Sequence, residues 1–311
     1  NSGAASGPRR DSISTAYEKR TGMPPVLLTW NDVLETPERL AAWLGPDCYV
    51  RLDSPDQDER AKAALYHLGA AAAEAAGLPV FGAEAVQSLG FGEIGSPSQL
   101  TFGIGAATEQ IAAIAARAGA CVSIDADDVA TCFDKAASSQ RLTRGNLPTP
   151  RLQIVQGGFD ALTAIMDREG WSRVFLKLRH GAAAAGMMAL VRHGDRWAAT
   201  TTAVAGDNGC PCATRALRRI TQRTEIARII DQLAPLGLIV EQWLPKIGLE
   251  GQTVDLRMVV LGGEQVFPVL RSSPHPITNL HIGGRRGSAD ALAAKVGPTA
   301  WADMKPATWH R

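Results

Sequence analysis

The chain has 311 residues, of which 45% are hydrophobic and 20% are charged, and its formal net charge is +1. These values are typical of a globular protein of two or three domains, and the near-zero charge excludes a general affinity for nucleic acid or membrane surfaces. No apolar run approaches the ~20 residues of a membrane span, residues 1–5 lack a signal peptide's apolar segment, and five scattered cysteines favour a reduced, cytoplasmic protein.

The first part of the chain alternates helix-like and strand-like patterns. We predict helices over residues 9–20, 32–44 and 58–77, and strands over residues 25–30 and 48–52. This alternation favours a parallel α/β sheet. Because the chain opens on a helix, whereas an open α/β domain usually opens on a central strand, we expect the sequence to begin just after its own first strand.

The middle of the chain changes character after two further predicted helices, over residues 108–120 and 125–139, and a linker near residues 144–150. Beyond the linker, the patterns predict strands over residues 151–155, 173–178, 187–192 and 238–244, and helices over residues 159–169, 224–234 and 289–296. A loop of glycine and alanine, residues 181–186, joins two of these strands. Such a hairpin tip can approach a ligand closely.

Charged residues interrupt a strand pattern in the last part of the chain. Asp255 and Arg257 alternate with four apolar positions, Val254, Leu256, Met258 and Val260, so the two charges share one face. After a turn at Gly262-Gly263, a return strand can carry Arg271, Asn279 and His281 to the same cleft. Cations, a carboxylate and an amide on one surface suit a polyphosphate and its metal, which predicts a nucleotide-handling enzyme.

Two lysines allow two interpretations each. Lys177 lies within the apolar strand 173–178, just before the glycine and alanine loop. It can be a phosphate-binding lysine under a closing loop, or an edge-strand lysine whose stem covers apolar surface. Lys135 can likewise contact phosphate or lie on an ordinary helix surface.

The order of these segments resembles the ATP-grasp superfamily, within it the branch of glutathione synthetase and the ribosomal-protein glutamate ligase, and most closely an uncharacterised bacterial group. The resemblance covers about residues 124–287. It is carried by Asp134-Lys135, Pro148-Thr149-Pro150, Lys177 with its loop, Glu241-Gln242-Trp243-Leu244, Asp255-Leu256-Arg257 and Asn279-Leu280-His281-Ile282-Gly283-Gly284. It implies an α/β fold with three parts: an N-terminal parallel-sheet domain (residues 1–123), a central lobe (124–236) and a C-terminal antiparallel lobe (237–311).

The same resemblance implies roles for individual residues. Lys135 and Lys177 match lysines that contact ATP phosphates, and Asp255 matches an acidic ATP-contacting position. Arg257 and Arg271 match catalytic arginines that face the γ-phosphate and the acyl-phosphate. The remaining matches belong to nucleotide binding: the hinge residues Glu241, Gln242, Trp243 and Leu244, which read the adenine edge, and Thr278 and Asn279 in the cleft.

One departure concerns the metal. ATP-grasp ligases of this branch carry a Glu-x-Asn motif that holds Mg²⁺ after the segment matching Asn279 to His281, and none follows here. We therefore expect an incomplete C-terminal lobe and a fragment truncated at both ends, with ATP and Mg²⁺ as the cofactors that the family uses. No residue of this chain is assigned as a metal ligand.

Three functions stay open. The first is an ATP-dependent ligase that joins a small-molecule or peptide carboxylate to an amine through an acyl-phosphate. The second is an ATP-grasp kinase, and the third is a nucleotide-binding protein without turnover. Other patterns have ordinary explanations: Cys210-Pro211-Cys212 as a loop, the basic run from Arg215 to Arg219 as a solvated face, and Gly103-Ile104-Gly105 as too short for a dinucleotide fingerprint.

Overall fold

The computed structural model describes residues 8–55, 59–261 and 265–304. The chain divides into two compact units, one of residues 1–91 and 95–147, the other of residues 92–94 and 148–311. The main boundary, after Leu147, lies within the segment 144–150 that we expected to be a linker. The division into three domains remains a prediction.

The first unit is mainly helical. Its elements are α1 (Pro8–Thr21), α2 (Trp30–Glu35), α3 (Pro37–Ala41), β1 (Tyr49–Val50), α4 (Glu59–Ala75), α5 (Ala83–Ser88), α6 (Pro97–Arg117), β2 (Cys121–Val122), α7 (Ala126–Phe133) and α8 (Lys135–Arg144). In the described part of this unit, the only sheet is the parallel pair β1–β2. The mixed helix and sheet class is as expected, but the extensive N-terminal parallel sheet is not present there.

The predicted strand over residues 25–30 is wrong, because a helix cap overrides the apolar run. The Thr29 hydroxyl accepts a hydrogen bond from the Asp32 backbone N–H at 3.0 Å, and the Asp32 carboxylate accepts one from the Thr29 backbone N–H at 3.1 Å. This reciprocal capping box starts α2 at Trp30. Val26 and Leu27 stay more than half exposed, so the run had no buried face to fill.

Two predicted helices are each divided in two. The helix over residues 32–44 breaks at Thr36, because Pro37 starts α3 and disfavours helical backbone before it. The helix over residues 125–139 breaks at Asp134, whose carboxylate accepts hydrogen bonds from the N–H groups of Ala136 and Ala137 and so caps α8.

Helices α4 and α6 form the centre of the first unit. A Cβ atom at Gly69 would lie 1.9 Å from the Gln99 carbonyl oxygen, and one at Gly103 would lie 1.8 Å from the Leu65 carbonyl oxygen. The two backbones therefore touch at these glycines. Ile104 and Val129 pack in the small apolar core beside this contact.

The second unit contains two antiparallel sheets and four helices in its described residues. The elements up to the first sheet's last strand are β3 (Leu152–Val155), α9 (Gly158–Glu169), β4 (Arg173–Leu178), β5 (Met188–His193), β6 (Arg196–Val204), β7 (Cys212–Ile220), α10 (Arg223–Leu233), a 3-10 turn (Ala234–Leu236) and β8 (Leu238–Gln242). They are followed by β9 (Gly248–Leu249), β10 (Gln252–Leu261), β11 (Gln265–Ser273), a 3-10 turn (Leu280–Ile282), β12 (Arg285–Gly287), α11 (Ala289–Val296) and α12 (Pro298–Met304). Every strand predicted beyond the linker is confirmed within a few residues.

The larger sheet has the strand order β3-β8-β4-β5-β6-β7. Helices α9 and α10 cover one face, where Leu176 and Leu178 of β4 meet Ile226 and Ile230 of α10 in the main core. Strands β6 and β7 were not predicted. The basic run from Arg215 to Arg219 belongs to β7, where its exposed arginines obscure the alternation typical of a strand.

The smaller sheet has the order β12-β11-β10-β9. Val254 and Leu270 lie on its buried face and pack against Leu292 of α11. Asp255 therefore points to the opposite face, because successive side chains of a strand alternate. The predicted turn residues Gly262 and Gly263 lie outside the described residues.

A short segment from the span of the first unit belongs to the second. The Ile94 backbone N–H donates to the Pro211 carbonyl at 2.8 Å, and the Ala213 N–H donates to the Gly92 carbonyl at 2.7 Å. Glu93 thereby forms a bridge with Cys212 at the free edge of β7. Across the described ranges, no helix is both long enough and apolar enough to cross a membrane.

Candidate functional site

The face of the larger sheet that α9 and α10 leave uncovered carries the first part of the site. Phe175 and Lys177 of β4 lie on this face, and Glu241 of β8 lies directly opposite Phe175. The Lys177 ammonium donates to the Glu241 carboxylate. Because β4 lies between β8 and β5, the interpretation of Lys177 as an edge-strand lysine is wrong.

The smaller sheet carries the second part. Asp255 of β10 lies opposite Arg271 of β11. Arg271 donates from Nε to Oδ1 at 2.6 Å and from Nη2 to Oδ2 at 2.9 Å, and the Thr278 hydroxyl donates to the same carboxylate. Burial raises the pKa of Asp255, but these hydrogen bonds and the charges of Arg271 and Lys246 outweigh it and hold the pKa below its ordinary value.

Lys246 joins the two parts. Its Nζ lies 3.5 Å from Oδ2 of Asp255, donates to the Pro276 carbonyl at 3.1 Å and lies 5.6 Å from the centre of the Phe175 ring. Burial lowers the pKa of Lys246. Asp255 opposes this shift, and the positive charges of Arg271 and Lys177 add to it.

Together these residues form what we term the charge cluster, which consists of Lys177, Glu241, Lys246, Asp255 and Arg271. It holds three cations against two carboxylates, so it carries a net positive charge. Lys246 was missed in the sequence analysis. The signal that marks it in the sequence is its place just after Pro245, between the two predicted strands that carry Glu241 and Asp255.

An apolar cluster lies beside the charge cluster, between the two sheets. The Phe175 and Trp243 rings lie 4.7 Å apart at 43°. Around them pack residues from the larger sheet, from the glycine and alanine loop, and from the segment between β11 and β12: Ala184, Met187, Ala189, Leu217, Ile277 and Ile282. The loop is also tied to β6, because the Thr202 hydroxyl donates to the Ala184 carbonyl at 2.6 Å.

The segment expected to be a hinge follows β8. The Gln242 N–H donates to the Arg151 carbonyl at 2.9 Å, and the Trp243 N–H donates to the Arg173 carbonyl at 3.3 Å. Within the described ranges, the N–H of Leu244 has no such partner, and the Leu244 side chain is exposed. This segment therefore offers one backbone donor to a ligand.

Three expected site residues lie elsewhere or make local contacts. Arg257 shares the face of Asp255 but is exposed, with no hydrogen bond or ion pair to any described residue. The Asn279 side chain accepts a hydrogen bond from the His281 N–H at 2.9 Å and so caps the 3-10 turn. Lys135 opens α8 in the first unit, and its position beside Lys177 remains a prediction.

The residues present do not fit a magnesium site. In the described part of the chain, no three His, Cys, Asp or Glu side chains are grouped so that they could hold a metal ion. Both carboxylates of the charge cluster are held by cations, Asp255 by Arg271 and Glu241 by Lys177. At a nucleotide site Mg²⁺ usually takes one or two carboxylate ligands besides phosphate oxygens, and the charge cluster offers no carboxylate that is not already paired with a cation.

No family model matches the sequence, and no curated protein matches it. Among solved structures, the chain is similar to the D-alanyl-alanine synthetase A of Vibrio cholerae, with 15% sequence identity and a TM-score of 0.32 over 54% of this chain and 42% of that chain. It is also similar to the D-alanine-D-alanine ligase of Coxiella burnetii, with 13% identity and a TM-score of 0.31 over 58% of this chain and 42% of that chain. The chain thus spans less than half the length of either structure.

Proposed function

We propose that the second unit binds ATP at the charge cluster and that the protein is an ATP-dependent carboxylate–amine ligase of the ATP-grasp type. One observation carries the proposal: Lys246, whose Nζ lies 3.5 Å from Oδ2 of Asp255 and 5.6 Å from the centre of the Phe175 ring, joins the Asp255–Arg271 pair of the smaller sheet to the face of the larger sheet that carries Lys177. Three cations that outnumber their carboxylates suit a polyphosphate. The order of sequence segments that resembles ATP-grasp proteins adds independent support.

In this proposal the nucleotide lies along the cluster. Lys177 and Lys246 neutralise its phosphates, and the free N–H of Leu244 donates to the adenine edge. Asp255 and Thr278 hold the Arg271 guanidinium in one orientation. A cation that is fixed beforehand stabilises developing charge without reorganising during the reaction.

The proposed reaction has two steps. A substrate carboxylate oxygen attacks the γ-phosphorus of ATP, and the bond between that phosphorus and the β-γ bridging oxygen breaks. ADP is the leaving group, and the substrate becomes an acyl-phosphate. An amine then attacks the acyl carbon, loses a proton and expels phosphate, which gives an amide. Arg271 and the exposed Arg257 face the transferred group in this scheme, and the acid and amine are small molecules or peptides.

A nucleotide-binding protein without turnover is the second candidate. The observation that favours it is the engagement of both cluster carboxylates by cations, which leaves neither free for metal. A kinase is the third candidate. Product analysis with ATP and a panel of acids and amines separates the three: an amide, a phosphate ester, or no ADP release.

The direct test of the nucleotide site is a titration of ATP into the wild type and Lys177→Met. Losing one charged phosphate contact typically costs ~1.5–3 kcal/mol, so we expect affinity to fall about ten-fold or more. Lys19→Met is the matched control, because Lys19 lies exposed on α1 in the first unit.

The variant also leaves Glu241 without its partner. The double variant Lys177→Met/Glu241→Gln removes both charges and keeps the shapes of the side chains, so it separates lost contact from local repulsion. If ATP binds the wild type and both Lys177 variants equally well, the charge cluster is not the phosphate site.

A further inference from the structure

A row of charged residues crosses the smaller sheet at the proposed site. Arg271 of β11 lies opposite Asp255 of β10 on one side and opposite Arg286 of β12 on the other. Residues directly opposite in antiparallel strands point to the same face. Asp255, Arg271 and Arg286 therefore share one face, in this order, over three neighbouring strands.

Arg286 has no counter-ion in this row. Its side chain is exposed and makes no hydrogen bond or ion pair to any residue that the structure describes. The carboxylate oxygens of Asp255 are taken by Arg271, Thr278 and Lys246. Asp255 neutralises Arg271, whereas Arg286 faces a like charge across the strand pair and is exposed, so an anion beside Arg286 completes the alternation of charge along the row.

The neighbouring arginines differ in placement. Arg285 lies opposite Ser272, so it points to the other face of the sheet. Arg257 shares the face but lies two residues along β10, opposite Val269. Only Arg286 among these continues the row from Arg271 toward the edge strand.

We propose that Arg286 binds a second anionic group of the acid substrate, and that this substrate is therefore a dianionic acid. This inference rests on the proposed function, since Arg271 faces the carboxylate that receives the phosphoryl group. Neighbouring strands lie about 4.8 Å apart, so Arg286 meets an anion roughly one strand spacing beyond that carboxylate. The planar guanidinium fork binds a carboxylate through two parallel hydrogen bonds.

The test compares Arg286→Gln with Arg285→Gln, which removes the same charge from the same strand on the opposite face. Succinate and glutarate are the dianionic probes, acetate is the monoanionic probe, and binding is measured by calorimetry with and without a non-hydrolysable ATP analogue. We expect Arg286→Gln to weaken binding of the better dianion about ten-fold and Arg285→Gln to leave it within about two-fold. Acetate binding stays the same in all three proteins.

A second measurement tests the same assignment on the wild-type protein, so that it does not depend on whether the variants fold. Phenylglyoxal modifies exposed arginines, and mass spectrometry of the peptide locates the modification. The dianion is expected to protect Arg286 and not Arg285. Equal effects of the two substitutions, equal protection of the two arginines, or no saturable binding of either dianion would each overturn the assignment.

The ATP titration separates this inference from the proposed function. If Arg286→Gln weakens the dianion while the wild type binds no ATP, the anion site stands and the ATP site is wrong. If Lys177→Met weakens ATP binding but Arg286→Gln leaves dianion binding unchanged, the nucleotide site stands and the substrate class is wrong.

Discussion

At the scale of single residues, the site depends on which charges are satisfied inside the protein. Asp255 is engaged by Arg271, Thr278 and Lys246, so its carboxylate acts on the guanidinium beside it. These contacts hold the Arg271 guanidinium in one orientation, and the direct ATP contact that the family resemblance implies for Asp255 stays a prediction. Because Asp255 is paired with both Arg271 and Lys246, Asp255 and Lys246 are the most informative residues to change.

Asp255→Asn is expected to reduce the stability of the second unit in a pH-dependent way. The folded pKa of Asp255 lies below its ordinary value, so its contribution is present above the unfolded pKa of about 3.9 and is lost as the pH falls through the folded pKa. We expect a difference of roughly 1–3 kcal/mol in the free energy of unfolding at neutral pH.

Urea unfolding of wild type and Asp255→Asn from neutral to acid pH measures this difference. It should shrink as the pH falls below about 4. A difference that stays constant over that range would mean that Asp255 stabilises through shape and not through its charge.

Lys246→Met should separate stability from binding. Because burial lowers the folded pKa of Lys246, its charge costs free energy, and the wild type gains stability as the pH rises through that pKa toward the unfolded value of about 10.4. Methionine keeps the apolar stem over Phe175 without the charge.

We therefore expect Lys246→Met to unfold at the same or a higher temperature than the wild type, while ATP affinity falls about ten-fold. Thermal unfolding and ATP titration on the same samples provide the two readouts. A large loss of stability would show that the hydrogen bond to Pro276 outweighs the cost of burial.

At the scale of elements, two glycines that flank the same isoleucine of α6 have different surroundings in space. Gly103 lies where α6 touches the backbone of α4, whereas a Cβ at Gly105 would meet no atom within 4 Å. Within the Gly103-Ile104-Gly105 triplet, Gly103 thus serves helix packing and Gly105 does not. The role of each glycine depends on whether α4 lies against it, and the residues around the glycine in sequence do not indicate this.

Gly103→Ala and Gly105→Ala form a matched pair. The first must push α4 away from α6 and should destabilise the first unit by about 1–3 kcal/mol or more. The second should stabilise α6 by up to about 1 kcal/mol, since alanine is the better helix former. Denaturation followed by circular dichroism compares them, and similar effects of the two substitutions would refute the close helix contact.

At the scale of the whole molecule, residues 92–94 belong to a different unit from the residues that flank them in sequence. This segment lies within the span of the first unit, yet it pairs with the edge of β7, and Ile94 packs in the main core of the second unit. The stability of the second unit therefore depends on residues that precede its main span by more than fifty positions.

Ile94→Ala should loosen the second unit selectively. Removing the buried side chain typically costs about 2–5 kcal/mol, and the cost falls on β4 to β7. Ile104→Ala is the matched control, because Ile104 is buried to the same degree, 6% exposed, in the core of the first unit. Hydrogen exchange by mass spectrometry should show faster exchange in the second unit for Ile94→Ala and in the first for Ile104→Ala; the reverse pattern would contradict this division of the chain.

Local patterns were sufficient where each element has its own buried face. The alternation around Asp255 predicted a strand with two charges on one face, and residues 173–178 predicted β4 with its full bounds. In such a strand, the alternation of apolar and polar residues along the sequence shows both the period of the side chains and which face is buried. Residues 25–30 show the limit, because an apolar run without a partner strand gave way to the Thr29 cap.

The tertiary structure alone decided which charges meet. Lys177 and Glu241 are 64 residues apart in sequence, and Asp255 and Arg271 are 16 apart. Their pairing depends on strand order and register, and a shift of one residue would send every side chain to the other face. The sequence by itself therefore determined several strands of the second unit, including those that carry Lys177 and Asp255, while register and packing brought Lys246 beside Asp255 and Arg286 beside Arg271.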